Sequence, residues 1–173
     1  MKKYPSFRTE RLTLRITAAE DAPLVLALLN MPKWLKYIGE RNVKSLAAAE
    51  QYIADRMTPQ YERLGYGNYT VIRKADGVKM GTCGLYDREG LDGIDIGFAF
   101  LPAYEGKGYG YEAARRITDF AREELKMPAI RGITVAENIA SRRLLEKLGM
   151  TFKEYVRLPD DEEKLLLYET GEE

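Results

Sequence analysis

Histidine is missing from all 173 residues of the chain. Imidazole is the commonest general base near neutral pH and the commonest metal ligand, so its absence removes whole classes of chemistry. Hydrolases built on Ser-His-Asp or Cys-His are excluded, and so is a His-ligated zinc site. Proton transfer falls to Asp, Glu, Tyr, the chain terminus or water. Cysteine is almost as scarce. Cys83 stands alone, which excludes an internal disulfide and fits a reducing compartment. With no histidine to activate it, Cys83 reads as strand packing rather than a nucleophile. Charge of one sign is lacking too: 27 Lys plus Arg balance 27 Asp plus Glu, so no basic excess supports broad nucleic-acid binding. No apolar run reaches the ~18 residues of a membrane span. Met1-Lys2-Lys3-Tyr4-Pro5-Ser6 has no secretory apolar core. A cytoplasmic protein outside the membrane is expected, folded as a single domain over residues 1–173.

What is present centres on Glu105-Gly106-Lys107-Gly108-Tyr109-Gly110. Upstream, Ile94 to Leu101 reads as an apolar strand that Pro102 ends, since proline cannot donate to a ladder. Downstream, Ala113, Ala114, Ile117, Phe120, Ala121 and Leu125 recur at helical spacing. Strand, glycine loop and helix in that order have a physical use. A helix start offers unpartnered N–H groups and a partial positive charge, and glycines let an anion approach the backbone. Lys107 adds a cation. The loop is therefore expected to cradle a pyrophosphate, with a plain flexible connection as the alternative. A Walker loop needs Ser or Thr after its lysine, and Gly108 stands there instead. A Rossmann loop spaces its glycines differently and follows the first strand of its unit.

The loop resembles the acetyl-coenzyme-A loop of the GNAT acetyltransferases, Arg/Gln-x-x-Gly-x-Gly/Ala, with Gly108 and Gly110 at the two small positions. Glu105 stands where that pattern prefers Arg or Gln. A second match follows: Asn138-Ile139-Ala140-Ser141 through Leu145 to Gly149-Met150 resembles the family's Asn-x-x-Ser/Ala-x-x-x-(Leu/Tyr)-x-x-x-Gly-Phe. Phe7 to Arg15 is similar to the opening of the branch that includes the ribosomal-protein N-terminal (alanine) acetyltransferases.

The rest of the chain reads in keeping. Arg11 to Thr17 alternates as a half-buried strand, and Thr17 with Glu20 has capping-box spacing before a helix over Ala22 to Leu29. Asn30 to Gly39 interrupts that helix. Ser45 caps a second one, Leu46 to Arg63, which Thr58-Pro59 kinks or splits. Gly67 to Lys74 and Val78 to Tyr86 form a hairpin about Asp76-Gly77. After the central helix come a strand, Ile130 to Val135, and a helix from Asn138 that Gly149 ends. A final hairpin pairs Thr151–Leu158 with Lys164–Glu169 around the acidic Asp160-Asp161-Glu162-Glu163. The class is α+β: a mixed, mostly antiparallel sheet of six to seven strands with about four helices. The resemblance adds a V-shaped splay between the fourth and fifth strands.

The resemblance implies acetyl transfer from acetyl-coenzyme A to a primary amine by direct attack, without a metal. Pantetheine would lie along Phe98, Phe100 and Leu101, and the pyrophosphate on Gly106, Lys107, Gly108, Tyr109, Gly110 and Tyr111. Asn138 and Ser141 would line the coenzyme side. Trp34 and Tyr37 would border the acceptor, with a hydrophobic plug as their alternative. Asp95 would be the base or water-orienting group, with a polar strand-edge residue as its alternative. The position where part of the family carries a thiolate-protonating Tyr is Leu145 here, leaving Tyr104, Tyr109, Tyr111 or water. A coenzyme-A binder without turnover stays open, as does an unrelated phosphate-ligand module. The acceptor stays open among protein N-termini, amino sugars, polyamines, antibiotics and amino acids. Neither a membrane nor a nucleic-acid partner is expected, and a monomer or homodimer is.

Overall fold

The computed structural model describes residues 4–159 and 161–171. The amino-terminal reading on Met1-Lys2-Lys3 and the Asp160 part of the acidic turn lie outside them. The chain runs β1 (Phe7–Arg8), β2 (Leu12–Ile16), a 3-10 turn (Ala19–Asp21), α1 (Ala22–Asn30), α2 (Pro32–Tyr37), α3 (Leu46–Arg56) and α4 (Thr58–Leu64). It continues β3 (Asn68–Arg73), β4 (Lys79–Tyr86), β5 (Asp95–Phe100), a second 3-10 turn (Pro102–Tyr104) and α5 (Tyr109–Glu123). It ends β6 (Arg131–Thr134), α6 (Ile139–Lys147), β7 (Met150–Val156) and β8 (Leu165–Thr170). All eight strands form one sheet in the order β1-β2-β3-β4-β5-β6-β8-β7. Neighbours are antiparallel except β5 and β6, which are parallel.

The expected α+β architecture is therefore present, with more pieces than the sequence pattern suggested. Phe7–Arg8 pairs with Leu14 and Thr13 as a two-residue strand too short to show a period. Pro32 and Pro59 each sit in a first helical turn, where a missing N–H costs nothing, so they begin α2 and α4 instead of bending longer helices. The capping box expected from Thr17 and Glu20 is not formed. The Thr17 hydroxyl turns inward to Thr70 and Asn68, and the Asp21 carboxylate takes the Ala18 N–H instead, at 2.9 Å.

One sheet face carries α5, whose Ala113, Ala114, Ile117, Phe120 and Ala121 pack on Leu12, Leu14, Tyr69, Val71, Met80 and Ile96. The other face carries α1 and α3, meeting through Ala22, Val25, Leu29, Ala49 and Ile53. Asp21, fully buried, ties this second layer to the sheet: Arg15 holds both its oxygens at 2.8 and 2.9 Å, and Lys79 adds a contact of 2.7 Å. Burial by itself would raise this carboxyl. The bonds from Arg15, Lys79 and the Ala18 N–H outweigh burial and lower it from 3.8 to about 2. Because the folded value lies below the unfolded one, this stabilisation is full above about pH 4 and disappears as pH falls toward 2, about 2 kcal/mol in all. Urea titrations of Asp21→Asn should show lower stability at pH 7 and a flatter loss between those pH values. An unchanged midpoint at pH 7 would show that the pair contributes nothing.

Candidate active site

The site follows from how β5 leaves its neighbour. β4 pairs with β5 along its full length, from Tyr86↔Asp95 to Gly81↔Phe100. On the other side the parallel register to β6 holds only Asp95↔Arg131, with the Arg131 N–H donating to the Ile94 carbonyl at 3.0 Å. Backbone groups alternate sides along a strand, so those of Ile96, Phe98 and Phe100 point toward β6, and β6 has already diverged. The expected splay is this gap. Beneath and around it lies a cavity of about 1050 Å³, lined by β5, the glycine loop, the start of α6, and α2 and α3.

The two faces of β5 do different jobs. Ile96 and Phe100 enter the core under α5, with Phe98 packed against it. Asp95, Gly97 and Ala99 face α1 and α3. Asp95 is fully buried, and Arg88 Nε donates to both its oxygens, at 2.9 and 3.0 Å. Burial raises the carboxyl, and Arg88 only partly offsets that, leaving it at about 6. Arg88 in turn lies 4.9 Å from the Tyr86 ring centroid, and the Tyr86 hydroxyl donates to Asn68 Oδ1. Gly97 makes this stack possible, because a Cβ there would lie 2.5 Å from the Tyr86 ring. Arg88 was not foreseen from sequence. It sits in an irregular loop whose pattern says nothing of Asp95.

At the far end of β5, Gly108 adopts φ 83° and forms the α5 N-terminus without any side-chain cap. The first N–H groups of α5 thus face outward unpartnered by the helix, and Glu112 N–H is bonded to the Gly108 carbonyl. The loop is braced from outside. Arg11 donates through Nη1 to the Lys107 carbonyl at 3.0 Å and through Nε to Glu112 at 2.7 Å, and lies 4.3 Å from the Tyr109 ring centroid. Nothing in the local sequence announces that brace, since Arg11 and Glu112 are 101 residues apart. Glu105, the departure from the family pattern, pairs with Lys33 of α2 at 2.9 Å and so links the loop to that helix.

Of the residues expected at the site, Trp34, Tyr37, Asp95, Phe98, Phe100, Gly106, Gly108, Tyr109, Gly110, Asn138 and Ser141 all line the one cavity. Three do not line it. Leu101 gives its N–H to the Met80 carbonyl and packs on the Leu24–Leu28–Ala99 cluster. Lys107 is exposed, and Tyr111 packs on the core with Lys147 4.2 Å from its ring centroid. Asn138 also caps α6, its Oδ1 accepting the Ser141 N–H at 3.2 Å. Tyr104, Tyr109 and Leu145 all line the cavity, Leu145 almost wholly buried. Cys83 is buried within β4, as its sequence context implied. Among the described residues no cluster of acidic or cysteine side chains could hold a metal ion, and no helix is long and apolar enough to cross a membrane.

Solved acetyltransferases have the same overall fold. The Agrobacterium tumefaciens str. C58 acetyltransferase superposes with a TM-score of 0.83 at 24% identity, covering 99% of this chain and 97% of that one. The ribosomal-protein-S5-alanine acetyltransferase of Vibrio fischeri gives 0.80 at 16%, covering 98% and 97%. In sequence, the Bacillus subtilis (strain 168) protein named uncharacterized N-acetyltransferase YnaD is 28% identical over 142 residues, 82% of this chain and 80% of its own length. The profile of the acetyltransferase (GNAT) domain matches residues 11–151, and the chain belongs to that family.

Proposed function

We propose that the whole chain is one catalytic domain that moves the acetyl group of acetyl-coenzyme A onto a primary amine. The observation that carries the reading is the stretch of β5 beyond Asp95, whose backbone on the β6 side has no strand partner and leads directly to the uncapped, glycine-headed start of α5. An extended pantetheine can add to such a free strand edge, and a pyrophosphate suits such a helix start. The co-substrate supplies an activated thioester. The protein's part is to hold and orient it along Phe98 and Phe100, to anchor its phosphates on Gly106 to Gly110, and to offer a strand N–H where charge develops on the carbonyl oxygen. Asn138 and Ser141 border the coenzyme side, and Trp34 and Tyr37 border the acceptor.

The amine has to lose its proton before attack. Asp95, with its raised proton affinity, is the group for that task, directly or through water. An α-amine near pKa ~8 asks less of such a base than a lysine side chain near ~10.4. The same Arg88 contact supports a second reading, a coenzyme-A binder that does not turn over, because both Asp95 oxygens are engaged. A calorimetric titration with coenzyme A, repeated with ATP and with NAD as competitors, tests the binding half. Saturable binding that neither nucleotide displaces is expected; displacement by either would replace the coenzyme with a general phosphate ligand.

A further inference from the structure

We infer that Arg88 reads a carboxylate on the acceptor, so that the acceptors are amino acids or other small amino-carboxylates. The inference rests on the acetyltransferase reading above. A guanidinium carries five N–H groups. Only Nε of Arg88 has hydrogen-bond partners, the two oxygens of Asp95. Both Nη groups are free of hydrogen bonds among the described residues. Nη2 lies 3.6 Å from the position a Cβ would take on Gly97, so the free fork lies over the face of β5 that lines the cavity. Asp95 and the Tyr86 ring fix the head, yet 37% of the side chain remains exposed.

A second unpaired donor lies behind the same wall. Trp34 Nε1 is buried and has no hydrogen-bond partner. Trp34 packs on the Leu24–Leu28–Ala99 cluster, and Ala99 is the next residue after Gly97 on the same face of β5. This wall thus carries the unpaired Arg88 Nη groups at its surface and, sealed behind it, an indole N–H with no partner among the described residues. The Arg88 Nη groups are half-exposed in the open cavity, where a ligand rich in oxygen acceptors can take charge-assisted bonds from them. The planar fork matches a carboxylate in bidentate geometry. Of the acids on the cavity wall, Asp87 pairs with Arg63, Glu40 with Lys44 and Glu105 with Lys33, whereas Glu89 and Asp161 have no ion pair among the described residues, so spermidine is kept as the competing acceptor in the test.

The test is a set of matched acceptors with acetyl-coenzyme A: L-α-amino acids and β-alanine, each beside its carboxamide, plus O-phosphoethanolamine, spermidine and a short peptide. At least one acid should have a kcat/KM about 30-fold or more above that of its amide, through KM more than kcat. In Arg88→Gln that ratio should collapse toward one, and Arg88→Lys should recover part of it. Amides used as well as acids, or a preference for the phosphate, spermidine or peptide, would overturn the inference while thiol release upholds acetyl transfer. No thiol release with any acceptor would overturn both. Should Arg88→Gln fail to fold, with Asp95 left buried and unpaired, Arg88→Gln combined with Asp95→Asn removes the stranded charge. Calorimetric binding of an N-acetylated acid against its amide then reads the same ratio. A preference kept by the double variant overturns the role of Arg88.

Discussion

Replacing Asp95 with asparagine is expected to lower kcat/KM by about 10²-fold at pH 7, the range of a general-base contribution, while coenzyme-A affinity stays unchanged. The substitution keeps the shape and removes the charge and the proton affinity. Burial raises the carboxyl to about 6, with Arg88 offsetting part of the rise, so the group is ionised at neutral pH yet basic enough to matter. The sign of the pH dependence follows. A base works deprotonated, so kcat/KM of the unaltered protein should climb as pH rises through about 6, and climb again as the amine loses its own proton. In Asp95→Asn the first limb should vanish, and the deficit should narrow at high pH, where the amine is already neutral. Asparagine also loosens Arg88, which would raise the acceptor KM but leave no reason for the limb near pH 6 to disappear. Full activity at pH 7, or an intact limb, would make Asp95 structural only.

Gly108→Val should weaken coenzyme-A binding by more than about tenfold, and the effect has two sources. The residue has φ 83°, a conformation that a β-branched side chain takes only under strain. Its new Cβ would also come within 3.3 Å of Arg11 Nη2, pressing on the brace that ties β2 to the loop. Gly106 supplies the contrast. It too has positive φ, but a Cβ there meets nothing within 4 Å, so Gly106→Ala should cost less. Calorimetry against coenzyme A, with thermal midpoints as the check on folding, separates the two. Equal affinity for Gly108→Val and the unaltered protein would remove the loop from the binding site.

Sequence reading reached what is local and periodic. The core stripe of α5, the strand before it, the Gly149 helix stop and the hairpin at Asp76-Gly77 each follow from residues within a few positions of one another, and each is present. The glycine loop was legible because its chemistry is carried by backbone and by the absence of side chains. What escaped is where side chains without a periodic pattern are placed. Arg88 reaches Asp95 across a loop without period, and Arg11 reaches Glu112 from the other end of the domain. The second depends on the finished sheet placing the start of β2 beside α5, which no window of sequence contains; the first spans only seven residues, but no period or turn signal says that the loop folds Arg88 back onto Asp95. Asp95 shows the difference within one residue: its strand position was evident, but that its carboxylate is fully buried behind a guanidinium was not. Leu101 and Tyr111 failed to reach the cavity for a related reason. Alternation assigns a side chain to a face, while the bend after Phe100 and the pitch of α5 decide which faces the splay exposes.

The most direct test of the account follows both products of one reaction. The protein is incubated with acetyl-coenzyme A and a pooled set of small amines and free-amine peptides, free thiol is measured over time, and the amines are weighed by mass spectrometry. The account predicts thiol release that depends on the added amine, matched mole for mole by an amine that has gained one acetyl group, with Asp95→Asn slowing both together. Tight coenzyme-A binding with no amine-dependent thiol release and no acetylated amine would contradict it.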